Sequence, residues 1–478
     1  MDPILYWNDV ALETNRVSHT NGKNEQTGPT LSSRALAIVH LAMYDAFVGA
    51  SQSALPHYLT PKPAAGSSVG ASVAASAHAT LSKLFPSQKP FFDLKHAQAG
   101  LSGAELEKGH QFGLMVANEI LEDRKDDPDA SDDGYASSMA RGAHRPDPDN
   151  PDQGYYAPFY GADSKCFAVT TRHELAEPPQ PGTPDYTSAL QEVRGQGIAP
   201  DLMGTVPSNL SRRTSNQTVR GVYWAYDGAS GLGTPPRAYN QIVREVALNN
   251  PNPNNPNDEP NTLEQNARLF ALVNVAMADA GILAWEQKYI HDLWRPVVGI
   301  REHDGSMGPT GAGNNAIDDD CDPVWLPLGA PSTNSTGKKN STPPFPAYPS
   351  GHATFGAAAF QITRLFYGVD RANKQDDLFD SLEFVSDELN GINKDNKGTV
   401  RPRHSRSFQD GLWRMIIQNG RSRVDLGVHW IFDAFAVDNN GQPDLDKQDA
   451  AGRRFGGVSL GLTIAEDIFD NNMNKSTI

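Results

Sequence analysis

Three separated groups of residues in the second half of the chain carry side chains that can hold an anion and move protons. They are Lys288 with Arg295, Ser350-Gly351-His352, and Arg423 with His429 and Asp433. Lysine and arginine supply positive charge and N–H donors, and an imidazole can act as a general acid or base. Together these residue types predict a pocket that binds a tetrahedral oxyanion and does chemistry on it.

The segment Ser350-Gly351-His352 follows a proline-rich turn and precedes an amphipathic helical pattern. Backbone N–H groups at a helix N-terminus have no partner within the helix, and they attract anions. Gly351 lets the backbone come close to such an anion, and Ser350 adds a hydroxyl group. We therefore expect His352 beside the anion, where an acid–base group is needed. Taken alone, the segment is more typical of an ordinary serine-capped helix with a nearby surface histidine.

Lys288 and Arg295 are seven residues apart. If one helix contains both, they lie on the same face, two turns and about 10 Å apart along the axis. Pro296 then limits how far that helix continues. The spacing predicts that both cations reach one anion beside this face, although a lone pair of this kind is more typical of a solvated surface.

The third group combines a cation with a histidine and a carboxylate. The planar guanidinium of Arg423 suits two oxygens of one anion. His429 lies six residues later, which is not one helical face, so the chain must bend near Gly427. Asp433 follows His429 by four residues and can orient its imidazole from the next helical turn. A histidine supported in this way is typical of a nucleophile or a metal ligand.

Helical periodicity dominates the elements that must position these residues, and extended alternating segments are scarce. The clearest predicted helices are Thr262–Trp285, Ala353–Phe366 and Leu412–Ile417. Three segments rich in Asp, Pro, Gly or Asn are predicted loops: Asp126–Pro158, Asn249–Asn261 and Gly305–Pro349. The last is expected to form part of the site wall, because loops of this length are usually functional. The pattern predicts an all-α fold.

A faint internal repeat links the two halves of the chain. Residues 34–46 and 268–280 are identical at seven of thirteen positions, at an offset of 234 residues. Downstream, Ser76–Thr80 is similar to Ser350–Thr354. The repeat predicts two helical bundles from an old duplication, with only the second keeping the site; the alternative is chance similarity between alanine-rich helices. His78 has no neighbouring Lys and Arg groups, so we do not predict that it is catalytic.

Composition limits the partners. The 478-residue chain has 41 basic and 57 acidic side chains and a net charge of −16, so neither nucleic acid nor an anionic membrane is an expected partner. No run of 18 apolar residues occurs, and no secretory signal is visible at Met1–Ile4. Export by another route stays open. The only two cysteines, Cys166 and Cys321, are far apart in sequence, and whether they pair also stays open.

The three groups together resemble a known signature. Lys-x6-Arg-Pro, Pro-Ser-Gly-His and Ser-Arg-x5-His-x3-Asp are shared by type-2 phosphatidic acid phosphatases, bacterial acid phosphatases and vanadium-dependent haloperoxidases. Longer stretches resemble the fungal-type vanadium chloroperoxidase branch, and the similarity covers nearly the whole chain. These stretches include Ile4–Asn8, Asn15–Val17, Trp224–Ala229, Gly233–Arg237, Pro343–Tyr348, Ala436–Gly441 and Gly456–Gly461.

The resemblance implies an all-α fold of two four-helix bundles and a vanadate cofactor. The expected halves are residues 1–248, which supply Asp227, and residues 262–478, which carry the vanadate site; residues 249–261 connect them. His429 is implied as the ligand of vanadium, His352 as the acid–base group, and Asp227 as the partner of Arg423. The residues implied to hydrogen-bond the vanadate oxygens are Lys288, Arg295, Ser350, Gly351 and Arg423.

The implied reaction is the oxidation of halide by hydrogen peroxide to hypohalous acid, which halogenates small organic acceptors. Vanadium stays at one oxidation state and acts as a Lewis acid, and Lys288 polarises the peroxide. Trp285 and Phe345 match the residues that line the halide pocket in the chloroperoxidase branch, whereas algal bromoperoxidases carry a histidine at the position of Phe345. We therefore expect chloride and bromide as substrates and phosphate as a competing anion.

Two other functions fit the anchoring residues. Phosphate and vanadate are nearly isosteric, so an acid phosphatase would use the same cations, with His429 as nucleophile and His352 protonating the leaving alcohol. A phosphate-binding protein without catalysis would also need the cations, but it would not need two histidines. The identities of Trp285 and Phe345 favour the peroxidase over both.

Overall fold

The computed structural model describes residues 2–59, 66–101, 105–256 and 259–478; Met1 and residues 257–258 of the predicted connection lie outside this part. The α-helices of the described part are α1 Pro3–Ser18, α2 Pro29–Ser51, α3 Val69–Leu84, α4 Lys89–Gln98, α5 Leu106–Asp123, α6 Tyr160–Asp163, α7 Pro184–Gln196, α8 Ser215–Tyr223, α9 Pro235–Asn249, α10 Leu263–His291, α11 Pro296–Arg301, α12 Gly351–Phe366, α13 Gly411–Asp425, α14 Ile431–Ala434 and α15 Gly456–Asp470. Two short antiparallel strands, β1 Phe384–Val385 and β2 Ser405–Arg406, form a two-stranded sheet.

Helix packing follows two bundles, and α2 and α10 form the main contact between them. In the first, α2, α3 and α5 pack on one another and α1 lies against α2 and α3. In the second, α12 packs on α10, α13 and α15. Helices α2 and α10 are in extensive contact, which joins the two bundles through one continuous apolar core. The prediction of an all-α fold is confirmed, whereas the boundaries at 248 and 262 stay a prediction.

Helix α10 is the longest element and runs through the centre of the molecule. Thr262 caps it, and Gln265 returns a hydrogen bond to the Thr262 backbone in a capping box. The helix extends to His291, six residues beyond the predicted end at Trp285. In the described part of the chain, α2 and α10 are long and apolar enough to span a membrane, although polar residues interrupt the apolar sequence of each. Both lie buried among other helices, as the core helices of globular proteins do.

The repeat predicted from residues 34–46 and 268–280 corresponds to a shared structural motif. Its aspartates, Asp45 in α2 and Asp279 in α10, are both fully buried. The Asp45 carboxylate accepts hydrogen bonds from the N–H groups of Tyr58 and Leu59, 2.7 and 2.8 Å away. The Asp279 carboxylate accepts three such bonds from residues 167–169. Each aspartate therefore fixes an irregular segment to its bundle, which supports the duplication.

The second part of the predicted repeat has a different register from the one expected. Ser68 caps α3 as Ser350 caps α12, and the hydroxyls of Ser72 and Thr354 bond back to these caps. Glycines of the partner helix lie against both pairs, Gly109 and Gly113 in α5 and Gly457 and Gly461 in α15. Ser350 therefore corresponds to Ser68, and the predicted match to Ser76 is wrong by eight residues. His352 corresponds to Gly70, so the first bundle has no histidine at this position.

The predicted loops are confirmed as long irregular segments. Residues 124–159 and 302–350 contain no α-helix or strand, and the described residues between α9 and α10 contain none either. The 302–350 segment is held by paired backbone groups, including the N–H of Ala347, which donates to the Leu293 carbonyl at 2.8 Å. Cys166 and Cys321 are both buried and unpaired, which answers the open question of a disulfide.

Candidate functional site

Lys288 and Arg295 do not share a helix face, and that prediction is wrong. Helix α10 ends at His291, and Asp292 takes a left-handed conformation (φ 45°) that turns the chain. Arg295 is the N-cap residue of α11, and Pro296 occupies the first position of that new helix. The break lets the two cations approach one site from two elements, instead of from positions two turns apart on one helix.

Lys288 lies in the wall of the site with no exposed surface. Its Nζ donates to the carbonyl oxygens of Pro346, Ala347 and Pro349 at 2.8, 3.2 and 2.5 Å. The ammonium group also lies 5.1 Å from the Phe345 ring centroid. Lys288 therefore holds the segment that leads into Ser350, and burial together with Arg295 places its pKa well below the usual value.

Arg295, His429 and Asp433 form a buried chain of hydrogen bonds. The Arg295 guanidinium donates to the Phe345 and Val428 carbonyls and, through Nη1, to Nε2 of His429 at 2.9 Å. Nδ1 of His429 lies 2.7 Å from Oδ2 of Asp433. Because Arg295 only donates, Nε2 carries the lone pair and Nδ1 carries the proton. The predicted bend is present: α13 ends at Asp425, and Gly427 adopts a φ of +74°.

The N-terminus of α12 is built as the sequence predicts. Ser350 is its N-cap, with an oxygen 3.5 Å from the Ala353 N–H, and its own N–H donates to the Asp433 carbonyl at 2.8 Å. Gly351 is the first helical residue, and a Cβ there would lie 3.3 Å from the Trp285 ring. The glycine therefore leaves room for Trp285 to cover the helix end.

His352 and Arg423 meet at the loop that carries Asp227. Arg423 donates two hydrogen bonds to the two oxygens of Asp227, at 3.1 and 2.8 Å. Nε2 of His352 lies 2.6 Å from the Ala225 carbonyl oxygen and 3.8 Å from Asp227. Because a carbonyl oxygen only accepts, Nε2 carries the proton, and Nδ1 of the neutral ring is a proton acceptor.

These groups surround a cavity of about 200 Å³. Of the predicted site residues, its lining includes Asp227, Trp285, Phe345, Gly351, His352, Arg423 and His429. Lys288, Arg295, Ser350 and Asp433 stand behind this lining. The Trp285 and Phe345 ring centroids are 4.8 Å apart, and the Phe345 ring also faces the Arg295 guanidinium at 4.9 Å. One side of the cavity is therefore aromatic and the other is cationic.

Burial of the cationic side perturbs the titration of its groups. The pKa of His352 falls to about 3, because the ring is buried and lies near Arg423. Burial also lowers the pKa of Arg295 to about 9 and, with Arg295 and Lys288, that of His429 well below its usual value. Burial raises the pKa of the Asp433 carboxyl to about 7. Asp433 and Asp227 therefore offset only part of the positive charge of Lys288, Arg295 and Arg423.

Two guanidinium nitrogens of the site are buried without a hydrogen-bond partner among the described residues, Nη2 of Arg295 and Nε of Arg423. An unpaired buried donor is costly, and a charged one more so. A tetrahedral oxyanion supplies several acceptor oxygens and negative charge. The donor set and its unbalanced positive charge therefore fit an oxyanion.

Two contributions to the site were not predicted. The Ala225 carbonyl fixes the proton of His352, but it is a backbone group, so no residue type signals it. Tyr156, from the 124–159 loop, lines the cavity, and its carbonyl accepts from Trp285 Nε1 at 3.3 Å and from the Tyr289 hydroxyl at 2.7 Å. A tyrosine in a long loop does not predict a place in the site, because only the fold brings it beside Trp285.

Comparisons of the sequence with known families agree with this geometry. Residues 1–154 match the model of the vanadium chloroperoxidase N-terminal domain, and residues 268–443 match the second helical-bundle domain of the same family. The chain is 36% identical to vanadium chloroperoxidase from Curvularia inaequalis, and the similarity covers 99% of this chain and 90% of that protein.

Solved structures show the same fold at lower identity. A bacterial vanadium-dependent iodoperoxidase superposes with a TM-score of 0.65 at 17% identity, over 98% of this chain and 96% of that one. An apo-type bacterial vanadium-dependent chloroperoxidase superposes with a TM-score of 0.60 at 14% identity, over 94% and 96%. At these identities the likeness concerns the arrangement of helices.

Proposed function

The chain belongs to the vanadium chloroperoxidase family, and we propose that it oxidises chloride and bromide with hydrogen peroxide, using vanadate as cofactor. The observation that carries the proposal is the unbalanced donor set of the cavity. Two buried guanidinium nitrogens without partners lie with a histidine lone pair beside a capped helix N-terminus. Vanadate matches this set, because it offers acceptor oxygens to the cations and a metal to the histidine.

The residues that would hold vanadate come from helices α10, α11, α12 and α13 and from the turn between α13 and α14. Nε2 of His429 would ligate vanadium in place of the hydrogen bond that it accepts from Arg295, with its Nδ1–H fixed by Asp433 as in many metal-bound histidines. The residues that would hydrogen-bond or electrostatically balance the oxygens are Lys288, Arg295, Ser350, Gly351 and Arg423. When bound, vanadate supplies a Lewis acid that activates peroxide at a constant oxidation state.

Lys288 has a role that its contacts restrict. Its three N–H groups already bind carbonyl oxygens of residues 346, 347 and 349, so a direct bond to vanadate or peroxide must replace one of them. We assign it two functions. Its positive charge behind the cavity polarises the peroxide, and its hydrogen bonds fix the position of the chain that enters Ser350.

His352 is the group that we assign to proton transfer. Its Nε2–H is held by the Ala225 carbonyl, and its low pKa keeps Nδ1 unprotonated near neutral pH. Nδ1 can therefore accept a proton from incoming hydrogen peroxide. The bound anion offsets Arg423, which raises the pKa of the ring and allows it to return that proton when hypohalous acid leaves.

Trp285 and Phe345 form the aromatic wall on which the halide assignment depends. Both line the cavity, and Lys288 and Arg295 lie over the Phe345 ring at 5.1 and 4.9 Å. An apolar wall removes water from chloride, which is harder to oxidise than bromide, while the cations behind the ring keep the anion in place. We propose small organic molecules as halogen acceptors and phosphate as a competitor for the cavity.

The test is a peroxide-dependent halogenation assay with a chromogenic acceptor on metal-stripped protein. We expect bromide and chloride oxidation only after vanadate addition, suppression by phosphate, and a loss of at least about 100-fold in the loaded His352→Gln variant. Absence of halogenation by wild-type protein that has bound vanadate would refute the proposal.

An acid phosphatase is the second candidate, and one observation favours it: His429 presents a lone pair on Nε2 beside cations suited to phosphate. In that reaction His429 attacks phosphorus and His352 protonates the leaving alcohol. Hydrolysis of a phosphate monoester by the vanadate-free protein, together with no halogenation by the loaded protein, would assign this function. Tight phosphate binding without either turnover would indicate a binding protein.

A further inference from the structure

A second cluster of ligand groups lies outside the cavity, where the 302–350 segment leaves α11. It consists of His303, Asp318 and Asp320, and one ligand atom from each lies within 4.8 Å of the other two. We propose that this cluster is a binding site for a divalent transition-metal cation such as Zn²⁺. Mixed nitrogen and carboxylate ligands of this kind suit zinc, whereas calcium and magnesium favour oxygen alone.

The histidine of the cluster has no competing hydrogen bond. Its Nδ1 is buried without a partner among the described residues, and its nearest contact to a carboxylate is 4.0 Å, from Nε2 to Asp318. The ring is stacked on Tyr186, with the planes 9° apart, and the Arg141 guanidinium fixes the backbone by donating to the His303 carbonyl. The imidazole is therefore oriented by its surroundings and has its lone pair free for a metal.

The loop that supplies the two carboxylates is folded back by Asp304. Its side chain accepts hydrogen bonds from the Ser306 N–H and hydroxyl at 2.8 and 2.5 Å, and from the Asp318 N–H at 2.9 Å. The Asp320 N–H donates to Asp318 Oδ1 at 2.8 Å. This network places both carboxylates beside His303 although they are fifteen and seventeen residues away along the chain.

The charge of the cluster favours a cation. Asp304, Asp318 and Asp320 contribute three carboxylates. Arg194 lies 3.7 Å from Asp320 Oδ1, and the Arg141 guanidinium donates to the backbone carbonyls of residues 302–304. Gln191 donates to the other Asp320 oxygen at 3.0 Å. Two arginines do not balance three carboxylates, so a divalent ion would relieve their repulsion.

The required movement is small. Two donor atoms bound to one zinc at ~2.1 Å are at most ~4.2 Å apart, and ~3.4 Å in a tetrahedron. Separations of up to 4.8 Å therefore close by at most about 1.4 Å, which rotation of the exposed Asp318 side chain permits. Solvent at this exposed position completes the coordination.

A metal here would fasten the start of the loop that ends in the cavity wall. The segment leads from His303 through Trp325, whose indole donates to the Arg194 carbonyl at 3.0 Å, to the Phe345 region that holds Lys288. Its function is therefore structural, and it is independent of vanadate. Zinc binding to vanadate-free protein tests it separately from halogenation.

Isothermal titration of EDTA-treated full-length protein with Zn²⁺ tests the proposal. A metal could also bind at His96, whose ring centroid lies 5.2 Å from that of His78 and 5.8 Å from that of His110. Every protein in the titration therefore carries His96→Gln. We expect one Zn²⁺ per chain, at least about tenfold weaker binding in His303→Gln and Asp320→Asn, and no change in Asp319→Asn. Asp319 is the matched control, because it lies in the same exposed loop outside the cluster.

Co²⁺ provides a second readout that does not depend on affinity alone. A visible absorption band that saturates at one equivalent and disappears in His303→Gln would place the imidazole on the metal. Thermal stability should rise with Zn²⁺ in the His96→Gln background and not in its His303→Gln derivative. No saturable binding in that background, or equal binding by the His303 and Asp319 variants, would overturn the proposal.

Discussion

The position of the proton on each histidine of the site is fixed by its hydrogen-bond neighbours. Asp433 accepts the proton of His429, and Nε2 of that ring, which accepts from Arg295, is the atom that we propose as a ligand. The Ala225 carbonyl accepts the proton of His352, and we propose its Nδ1 as a base. The two imidazoles are therefore chemically different although both are neutral and buried. We propose that this difference allows His429 to hold an anion while His352 exchanges protons with the substrate.

His352 also links the stability of the anion-free protein to pH. Its pKa is about 3 in the fold and about 6.5 in an unfolded chain, so below about pH 6.5 the unfolded state binds the additional proton. Stability contributed by the neutral ring is present above that pH and is lost as the pH falls. Between about pH 6.5 and pH 5 the loss is about 2 kcal/mol.

The measurement is urea unfolding of wild type and His352→Gln at both pH values. Because the variant has no titrating group at this position, we expect its stability to fall by about 2 kcal/mol less than that of wild type. His429 titrates in both proteins, and because His352 is the smallest cause of its lowered pKa, its contribution largely cancels in the difference. Identical pH dependence of the two proteins would contradict the assignment.

We propose that halide preference depends on the Phe345 ring, because it is apolar and lies against two cations. We expect Phe345→His to lower the rate with chloride relative to bromide by about tenfold or more, since a polar ring in this wall retains water around the harder anion. Steady-state rates with each halide measure the ratio. Tyr156→Phe is the control, because the hydroxyl that it removes faces Thr30 instead of the halide wall. A ratio unchanged in Phe345→His would remove this residue from the halide pocket.

Side-chain identities at the site could be predicted from sequence, because their chemistry is unusual and their spacing is distinctive. All eight anchoring and acid–base residues, including Asp227, do surround or support one cavity. What the residues contact could not be predicted. Lys288 binds three backbone carbonyls, and the position of a carbonyl depends on the path of the chain and not on residue type.

At the scale of elements, helix ends account for the errors of prediction. The apolar periodicity of α10 continues to the Lys288 region, so a helix that also contains Arg295 was a reasonable extrapolation. The helix stops because Asp292 adopts a left-handed conformation, which a non-glycine residue seldom takes. No local sequence pattern predicts this conformation. The repeat was likewise misaligned by eight residues because alanine-rich helices offer many equivalent registers.

The correspondence of α12 and α15 with α3 and α5 supplies a matched pair of variants. A Cβ added at Gly461 would lie 2.4 Å from the Thr354 carbonyl, and one at Gly113 would lie 2.2 Å from the Ser72 carbonyl. Either alanine forces two helices apart and should cost about 1–3 kcal/mol. Only Gly461→Ala displaces the helix that carries Ser350 and His352.

We therefore expect both variants to lose similar thermal stability, but only Gly461→Ala to lose vanadate affinity. Calorimetric unfolding and a vanadate titration of the folded protein measure the two effects. If Gly113→Ala weakened vanadate binding to the same extent, the site would depend on general stability and not on the packing of α12 against α15.

For the whole molecule, the site concentrates positive charge inside an acidic protein. The chain carries a net charge of −16, yet Lys288, Arg295 and Arg423 are all fully buried around one cavity. Burying like charges without enough counter-charge is costly, as the lowered pKa values of Lys288 and Arg295 indicate. The fold is therefore destabilised at its functional centre until an anion arrives.

Anion binding should consequently stabilise the entire fold, whichever reaction the site performs. An anion that binds only the native state contributes about 2.7 kcal/mol at 100 times its dissociation constant. We expect vanadate and phosphate each to raise the melting temperature, and phosphate to weaken the apparent affinity for vanadate because both occupy one cavity. Chloride at matched ionic strength controls for screening.

Variants of two arginines on α13 distinguish anion binding in the cavity from a general effect of net charge. Arg423 faces the cavity, whereas Arg421 pairs with Glu192 and the Gly441 carbonyl outside it. Arg423→Gln should abolish most of the vanadate-induced rise in melting temperature, while Arg421→Gln, which removes the same charge two residues away, should retain it. If vanadate raised the melting temperature equally in both variants, the stabilising anion would bind elsewhere. If the rise were lost in both, net charge and not the cavity would attract the anion.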